Sequence, residues 1–288
     1  MGVWNWGLYG NDVTAEMRNI FREVVRLPLD GAGLDRELAT LFAGPSSPED
    51  GCYTSFCLAE ADLFHTYGIE APLVLERAET IISTGKDLEV HRELGMAERD
   101  LRKRAAMLEQ LGEKLRQPHP KPRQRKILRQ PEAWLFSDGE VIVYPTMDGY
   151  GANPYFTKRM MEGWTGNGWG MFVVLGAGYR YGYFAYYLIL LLPRQGAEMP
   201  HISALKAGRD IHCVANLVEL PPTHYQKMRL RSLGALPIKQ EEIDLHFLPG
   251  TPPFDFLPIH LANTLHDPVP CNFPHRNLSL ERFVQLPE

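Results

Sequence analysis

Apolar side chains recur every three or four residues through the first 117 positions of the chain, a spacing that predicts amphipathic helices. Asn11 or Asp12 is suited to cap the first helix, and Gly68 is suited to end the third. Pro72 suits the first turn of the fourth, and Gly85 stops it. The five predicted helices cover about Val13–Val25, Leu34–Phe42, Tyr53–Tyr67, Leu73–Ser83 and Ala97–Arg116.

After residue 132 the pattern changes to short apolar runs that are rich in β-branched and aromatic residues and are separated by Gly, Asp and Asn. Such runs are typical of strands. The predicted strands are Ala133–Phe136, Glu140–Pro145, Met171–Leu175, Tyr183–Leu192 and His212–Leu220. A tight turn at Ser137–Gly139 is expected to join the first two strands, and the Pro- and His-rich tail from about Pro249 is expected to be irregular structure packed on the domain. The predicted fold class is α+β, with a small helical N-terminal domain followed by a β-rich domain whose antiparallel sheet is strongly bent.

The stretch 118–132, PHPKPRQRKILRQPE, separates the two patterns. Its prolines and its five basic residues against one acid predict an interdomain linker. The predicted domains are therefore residues 1–117 and 133–288. The net charge of −5 divides into −7 for the helical part, +4 for the linker and −2 for the β-rich part.

Composition excludes several classes of protein. With 44% apolar and 23% charged residues, the chain is neither disordered throughout nor a disulfide scaffold. Its start has no basic and apolar leader, and its longest apolar run, Tyr183–Leu192, is about half as long as a membrane-spanning helix. Four cysteines without regular spacing fit a reducing compartment. We therefore expect a cytoplasmic protein without a membrane segment.

No sequence motif predicts a catalytic site. The chain has no G-x-S-x-G element. The segment Gly176–Gly182 precedes a strand-like run instead of the helix that a dinucleotide fingerprint requires, so we interpret it as a Gly-rich β-hairpin. Paired carboxylates, such as Asp87 with Glu89, are interpreted as solvated helix faces.

The histidines and the cysteine of the tail could in principle ligate a metal. Their spacing is loose and prolines lie among them, so solvated or capping side chains are the preferred interpretation. No metal and no cofactor are expected. The residues concerned are His260, His266, Cys271 and His275.

Clustered aromatic residues are the least ordinary feature of the sequence. Tyr and Trp provide rigid contact area and dominate interface hot spots, so the Gly- and Asn-rich stretch DGYGANPYFTKRMMEGWTGNGWG predicts a recognition loop. The alternative interpretation is a loop that packs its own aromatics over the sheet. The candidate binding residues are Trp4, Trp6, Tyr150, Tyr155, Phe156, Trp164, Trp169, Arg180 and Tyr181.

The N-terminal part resembles a bacterial domain of unknown function. The resemblance lies in the opening W-x-W-G-x-Y-G-N-D of Trp4–Asp12, in FCLAEADL at Phe56–Leu63, in AETIISTGKDL at Ala78–Leu88 and in the charged helix of Leu101–Pro120. Members of the family carry an acidic turn near the start, part of which is replaced here by Tyr9 and Gly10.

The second half resembles β-rich bacterial immunity domains, which open with a strand pair of the type G-D-x-x-x-x-P. Residues Asp138–Pro145, DGEVIVYP, stand in that place with Asp and Gly exchanged. The resemblance implies no catalytic residue. It implies a protein that neutralises a toxic effector by binding it, and an acidic helical half would speed association with a basic toxin.

Two further functions stay open. A small-molecule-binding protein or enzyme could use the aromatic region 144–187 as a pocket lined by Tyr150, Trp164, Trp169, Arg180 and Tyr181. Nucleic acid could bind the basic linker, but five charges without interleaved aromatics predict only weak, salt-sensitive binding. A protein partner is therefore preferred, and the sequence does not indicate the oligomeric state.

Overall fold

A computed structural model describes residues 5–193, 196–205, 211–247, 259–266 and 278–287. The chain divides into two compact units, Met1–Arg129 and Gln130–Glu288. The first unit is helical, and the second is built on a strongly curled mixed sheet. The α+β class expected from the sequence is confirmed.

The five predicted helices of the first unit are confirmed, and a sixth joins them. The sixth was missed because its sequence, KDLEVHRE, is largely charged and turns buried polar residues, Asp87 and His91, toward the interior. The helices are α1 (Asp12–Val24), α2 (Gly31–Leu41), α3 (Tyr53–Tyr67), α4 (Pro72–Thr84), α5 (Lys86–Glu93) and α6 (Glu98–Leu115).

The predicted helix ends follow from local chemistry. The Asn11 side chain accepts a hydrogen bond from the Thr14 amide at 2.9 Å, which satisfies one of the free donors at the start of α1. Gly68, at φ 60°, ends α3 in the left-handed conformation. Helix α3 is buried along most of its length and carries the aromatic core residues Phe56 and Phe64.

The basic segment after α6 is held by the first unit over much of its length. Arg125 donates through Nε to the carbonyl of Val25 and through Nη2 to the carbonyls of Leu27 and Leu29, at 2.9–3.0 Å. Three carbonyls at the end of α1 and beyond it thereby gain donors. The cations of this segment therefore include at least one with an internal structural role.

The second unit is organised around one sheet in the order β2-β1-β3-β4-β5-β7. Strand β6 pairs with β1, and β8 pairs with β5. All strand pairs are antiparallel except β5 with β7, which is parallel. The strands are β1 (Glu140–Met147), β2 (Tyr150–Gly151), β3 (Gly168–Arg180), β4 (Phe184–Leu191), β5 (His212–Glu219), β6 (Arg231–Ala235), β7 (Ile259–His260) and β8 (Leu278–Ser279).

The strand expected at Ala133–Phe136 is wrong. The backbone there finds partners outside a strand ladder, because the amide of Leu135 donates to the Tyr187 hydroxyl at 2.7 Å. The turn at residues 138–139 is present, with the amide of Glu140 donating to the carbonyl of Ser137. Gly139 is required at this point because its φ is 76° and a Cβ would lie 2.1 Å from the carbonyl oxygen of Leu236.

The Gly-rich hairpin interpretation is confirmed. Strands β3 and β4 pair as far as Arg180 and Phe184, and the Tyr183 amide closes the turn by donating to the carbonyl of Arg180 at 3.0 Å. Tyr181 and Gly182, at φ 53° and 70°, are the two central residues of this turn, and glycine is favoured at such positions. No helix follows the glycines, and the apolar run after them forms the central strand β4.

Both faces of the sheet are buried. On one face, Val143, Met171 and Val173 belong to a buried cluster that also contains Ile243 and Phe283, one from each of two helices. The other packs a cluster that includes Phe172, Tyr187 and Leu265. The helices of this unit are α7 (Lys158–Glu162), α8 (Pro222–Lys227), α9 (Gln240–Phe247), α10 (Leu261–His266) and α11 (Leu280–Phe283).

Where the structure describes it, the tail from Pro249 packs on the domain as expected, but the expectation of irregular structure is wrong. Residues 259–266 and 278–287 contain β7, α10, β8 and α11, and Leu261, Leu280 and Phe283 are fully buried. Short elements of two to six residues carry too little periodicity to be recognised in a sequence. In the part of the chain described here, no helix is both long and apolar enough to span a bilayer.

Candidate functional site

The aromatic loop, residues 148–164, connects β1 to the region before β3 and has defined local structure. Asp148 and Gly149, both at positive φ, turn β1 into β2, and the Asp148 amide donates to the Asn167 side chain. Thr157 caps α7 by accepting from the Met160 amide. The loop is therefore organised by its own hydrogen bonds and presents its side chains in set directions.

Three large apolar side chains of the aromatic loop are exposed. Tyr150 is 46%, Tyr155 67% and Met160 54% exposed, whereas Phe156 is half-buried. Single exposed apolar residues are common, but here three lie within eleven positions of one loop, and a concentration of exposed apolar area is a feature of interaction sites. This arrangement agrees with the recognition-loop interpretation for these residues.

Tyr155 is exposed and yet held in place. Its ring centre lies 5.0 Å from that of His224 on α8 and 5.4 Å from that of His260 on β7. The Lys227 ammonium, also on α8, donates to the carbonyl of Pro154 at 3.3 Å. Two neighbouring elements of the sheet unit thus fix the position of the loop at its most exposed aromatic residue.

The two histidines beneath Tyr155 form a directed hydrogen-bonded pair. The Ala262 amide donates to His260 Nδ1 at 3.1 Å, so neutral His260 carries its proton on Nε2. His260 Nε2 then donates to His224 Nδ1 at 2.8 Å. Burial, aided by the neighbouring His224, lowers the pKa of His260 to about 4, and burial together with Lys227 lowers the pKa of His224. Both imidazoles are therefore neutral at physiological pH.

This pairing changes the interpretation of the tail histidines. The partner of His260 is His224, which lies 36 positions earlier and belonged to no candidate set. The side chain of His266 and residues Cys271 and His275 lie outside the described residues. Within the described residues, no group of three or more His, Cys, Asp or Glu side chains could hold a metal ion.

The histidine pair makes stability depend on acid pH. The folded-state pKa of His260 is below its unfolded value of 6.5, so the unfolded chain takes up the proton first and stability falls as pH drops from about 6.5 towards 4. We expect the free energy of unfolding to decrease by about 1–2 kcal/mol from pH 7 to pH 5 because of this histidine pair. His260→Asn keeps an acceptor for the Ala262 amide without titrating, so its free energy of unfolding, measured in urea, should decrease correspondingly less over that range.

His201→Asn, at an exposed site, is the control for this prediction and should follow the wild-type pH profile. Parallel profiles for His260→Asn and wild type would contradict the assignment.

Two arginine–tryptophan pairs flank the aromatic loop. The guanidinium carbon of Arg229 lies 5.2 Å from the ring centre of Trp164, and that of Arg231 lies 6.0 Å from the ring centre of Trp169. Trp164 is buried, with 5% exposure, and Trp169 is half-buried. Both tryptophans therefore agree with the alternative interpretation, in which the loop packs its own aromatic residues over the sheet. The two arginines above them are exposed.

The structure does not bring Arg180 and Tyr181 to this loop. They lie in the β3–β4 turn, eleven positions along β3 from Trp169, a distance on the order of 30 Å in an extended strand. There Arg180 pairs with Glu219 at 3.3 Å and lies over the ring of Tyr181. One small-molecule pocket lined by both groups is therefore not supported.

The N-terminal candidates belong to a different unit. Trp6 is 38% exposed, and its carbonyl accepts a hydrogen bond from Arg104 at 3.3 Å. Its ring lies 5.8 Å from the Lys103 ammonium. Trp4 lies outside the described residues.

The solvated-face interpretation is wrong for Asp87. Asp87 is fully buried and binds Arg104, which is 1% exposed, through Nε at 2.5 Å and Nη2 at 2.9 Å. Thr54 donates to the same carboxylate at 3.0 Å. This network ties α3, α5 and α6 together, and Arg104 also donates to the carbonyl of Gly7.

Ser55, His91 and Asp87 are close together but lack the geometry of a nucleophilic relay. Ser55 Oγ lies 3.4 Å and Asp87 Oδ2 3.7 Å from the same ring nitrogen, His91 Nε2. A serine–histidine–aspartate relay uses both ring nitrogens, one for each partner. The arrangement is therefore structural, and burial next to Arg104 lowers the pKa of His91.

A second buried acid was missed altogether. Glu60 on α3 is fully buried and shares the Arg77 guanidinium with Asp35, at 3.1 Å and 2.5 Å from the same Nη2 atom. Burial first, and the nearby Asp35 second, raise the pKa of Glu60 to about 9. In the sequence Glu60 stands within the nearly apolar run FCLAEADLF, and that surrounding is the signal that could have identified it.

Searches against protein-family models, curated proteins and solved structures return no match for this chain.

Proposed function

We propose that this chain is a non-enzymatic binding protein that recognises a protein partner through the aromatic loop 148–164. The observation that carries the proposal is Tyr155, which is 67% exposed while His224 and His260 hold its ring from below. An exposed aromatic anchor that is already ordered loses little conformational entropy on binding. Tyr and Trp anchors of this kind dominate the energy of protein interfaces.

The proposal has a narrower form that rests on the resemblance to immunity domains. In this form the partner is a toxin, and binding occludes it in the cytoplasm. Free thiols at Cys52, Cys57 and Cys213 support a reducing compartment.

The broader proposal is tested by photocrosslinking in the native host. We expect p-benzoylphenylalanine at position 150, 155 or 160 to capture one discrete partner, because these side chains are exposed on the loop. The matched control places the same group at Leu245 on α9, which is 74% exposed in the same unit. Equal capture from the control position, or no capture from the loop, would refute the proposal.

The narrower form has its own test. The open reading frame that neighbours this gene is expressed alone, with wild type and with Tyr155→Ser. We expect growth arrest, rescue and weakened rescue, respectively. If the neighbour is harmless when expressed alone, the toxin hypothesis loses its support, while the crosslinking result still decides the broader proposal.

A further inference from the structure

The surface beside the aromatic loop is strongly basic, although the β-rich part of the chain is acidic overall. The segment 221–231 carries Lys227, Arg229 and Arg231 and contains no acidic residue. The aromatic loop adds Lys158 and Arg159 and contains two acids, Asp148 and Glu162, so that the two segments together carry five cations and two acids. The hydrogen bond from Lys227 to the carbonyl of Pro154 and the stacking of Arg229 on Trp164 join the two segments into one surface. We call it the basic-aromatic surface.

The cations of this surface are exposed and have no carboxylate partner among the residues that the structure describes. The ion pairs in those parts of the chain involve other cations, such as Arg77, Arg104, Arg180 and Arg282. Surface cations are usually interspersed with acids, which lowers the local potential. A concentration of unneutralised charge therefore favours an anionic partner.

Arg229 and Arg231 are more than general positive charge. Each guanidinium carbon lies over a tryptophan ring while the arginine side chain stays exposed, and a guanidinium keeps its planar fork of N–H donors in such a contact. Arg229 and Arg231 are two positions apart in the chain, so their Cα atoms lie within about 7 Å of each other. A planar, pre-oriented guanidinium binds a carboxylate with two parallel hydrogen bonds.

The backbone at Arg229 supports this assignment. Its φ is 55°, the left-handed conformation in which glycine or asparagine usually ends a helix, and it directly follows α8 and Met228. An arginine is an unfavourable choice there on backbone grounds alone. The contact between its side chain and Trp164 is the compensating feature on this surface.

We infer that the partner presents an acidic protein segment whose carboxylates bind Arg229 and Arg231 while an apolar side chain next to them packs on Tyr155. This inference rests on the proposed protein-binding function and names the chemistry of its partner. The exposed Tyr150 and Met160 favour a protein over a nucleic acid, because they add apolar area on the same loop. Recognition of acidic motifs by arginine clusters is a recurring mode of peptide binding.

The test uses the full chain and fluorescence anisotropy with three labelled probes. They are a peptide that alternates paired glutamates with phenylalanine, the same peptide with glutamines, and an oligothymidylate of equal length. We expect the acidic peptide to bind at least tenfold more tightly than either of the others, and its affinity to fall as salt increases. Arg229→Gln/Arg231→Gln should weaken its binding by about tenfold or more.

Two further variants make the result specific. Lys126→Gln/Arg129→Gln removes the same charge from exposed sites of the first unit and should leave the affinity unchanged. Arg229→Lys/Arg231→Lys keeps the charge but not the planar fork, and its affinity should lie between those of wild type and the glutamine variant. Thermal unfolding of each variant checks that the fold is retained.

The possible failures are distinguishable. Equal binding of the neutral peptide, or an unchanged affinity in the glutamine double variant, overturns this inference, even if photocrosslinking at the loop succeeds. Tighter binding of the oligothymidylate that depends on the two arginines would replace the protein partner with a nucleic acid. Absence of crosslinks from the loop would instead refute the proposed function itself.

Discussion

Replacing Arg104 by methionine should lower the free energy of unfolding by about 3–5 kcal/mol, because it leaves the fully buried Asp87 carboxylate without its cation. The substitution also removes the donors to the carbonyls of Trp6 and Gly7, which hold the N-terminal segment. Urea denaturation gives the free energy. Hydrogen exchange should show faster exchange of the α5 and α6 amides, whose helices meet at this pair.

Two comparisons separate the buried charge from general packing. Arg92→Met removes an exposed arginine whose partner Glu98 is also exposed, and it should cost less than about 1 kcal/mol. The double variant Arg104→Met/Asp87→Leu should lose less than the sum of the two single variants, since no unpaired charge remains buried. An Arg104→Met chain as stable as Arg92→Met would contradict the assignment.

Replacing Glu60 by glutamine should stabilise the protein at neutral and alkaline pH. The folded-state pKa of Glu60, about 9, lies above its unfolded value of 4.5, so the stability of the wild type is lost as pH rises between these values. Each pH unit in that interval is worth about 1.4 kcal/mol. We expect a gain of about 3 kcal/mol at pH 7, a larger gain at pH 8 and none at pH 4.

The control for Glu60→Gln is a glutamate-to-glutamine substitution at an exposed position, measured over the same pH range. Glu76→Gln, at an exposed position of α4, should change stability by less than about 0.5 kcal/mol at every pH. A Glu60→Gln chain that is less stable than wild type at pH 8 would mean that ionised Glu60 forms a stabilising pair with Arg77. Urea unfolding from pH 4 to pH 9 decides between the two outcomes.

The sequence patterns predicted the regular elements with long or distinctive signals. Helix α3 was predicted with its observed ends, and the apolar run at Tyr183–Leu192 was predicted as a buried strand, which is β4. The Gly-rich hairpin was identified because a strand-like run follows its glycines instead of a helix. The failures concern the charged helix α5, the short elements of the tail, and segments whose partners are distant, such as Ala133–Phe136, where the Leu135 amide donates to the Tyr187 hydroxyl.

The aromatic loop was identified from its composition, but its candidate residues separated into different roles. Tyr150 and Tyr155 are exposed, Trp164 is buried under Arg229, and Arg180 lies at the far end of β3. A list of residue types does not contain this distinction. Exposure depends on which other segments cover a side chain, and those segments lie far away in the sequence.

In the first unit, too, the roles of motif residues become clear only from their contacts in the structure. The stretches that carry the resemblance to a bacterial domain contain Tyr9, Asp62 and Asp87, and each of these forms a buried or half-buried polar contact in the structure. Asp62 accepts from the Tyr9 hydroxyl at 2.8 Å and from Lys114 at 2.5 Å. The motifs are thus explained by packing within this unit, and the resemblance itself stays a prediction.

By itself the sequence determined five of the six helices of the first unit, the four long strands of the sheet, the tight turns and the distribution of charge, because periodicity, capping and turn chemistry act between residues that are close along the chain. Only the tertiary structure decided which carboxylates are buried, which histidine stands opposite His260 and which arginines lie over tryptophans. These contacts join residues tens of positions apart, such as His224 and His260, which are 36 positions apart. Local sequence contains no signal for such pairs, since the energy that selects them comes from burying both partners together.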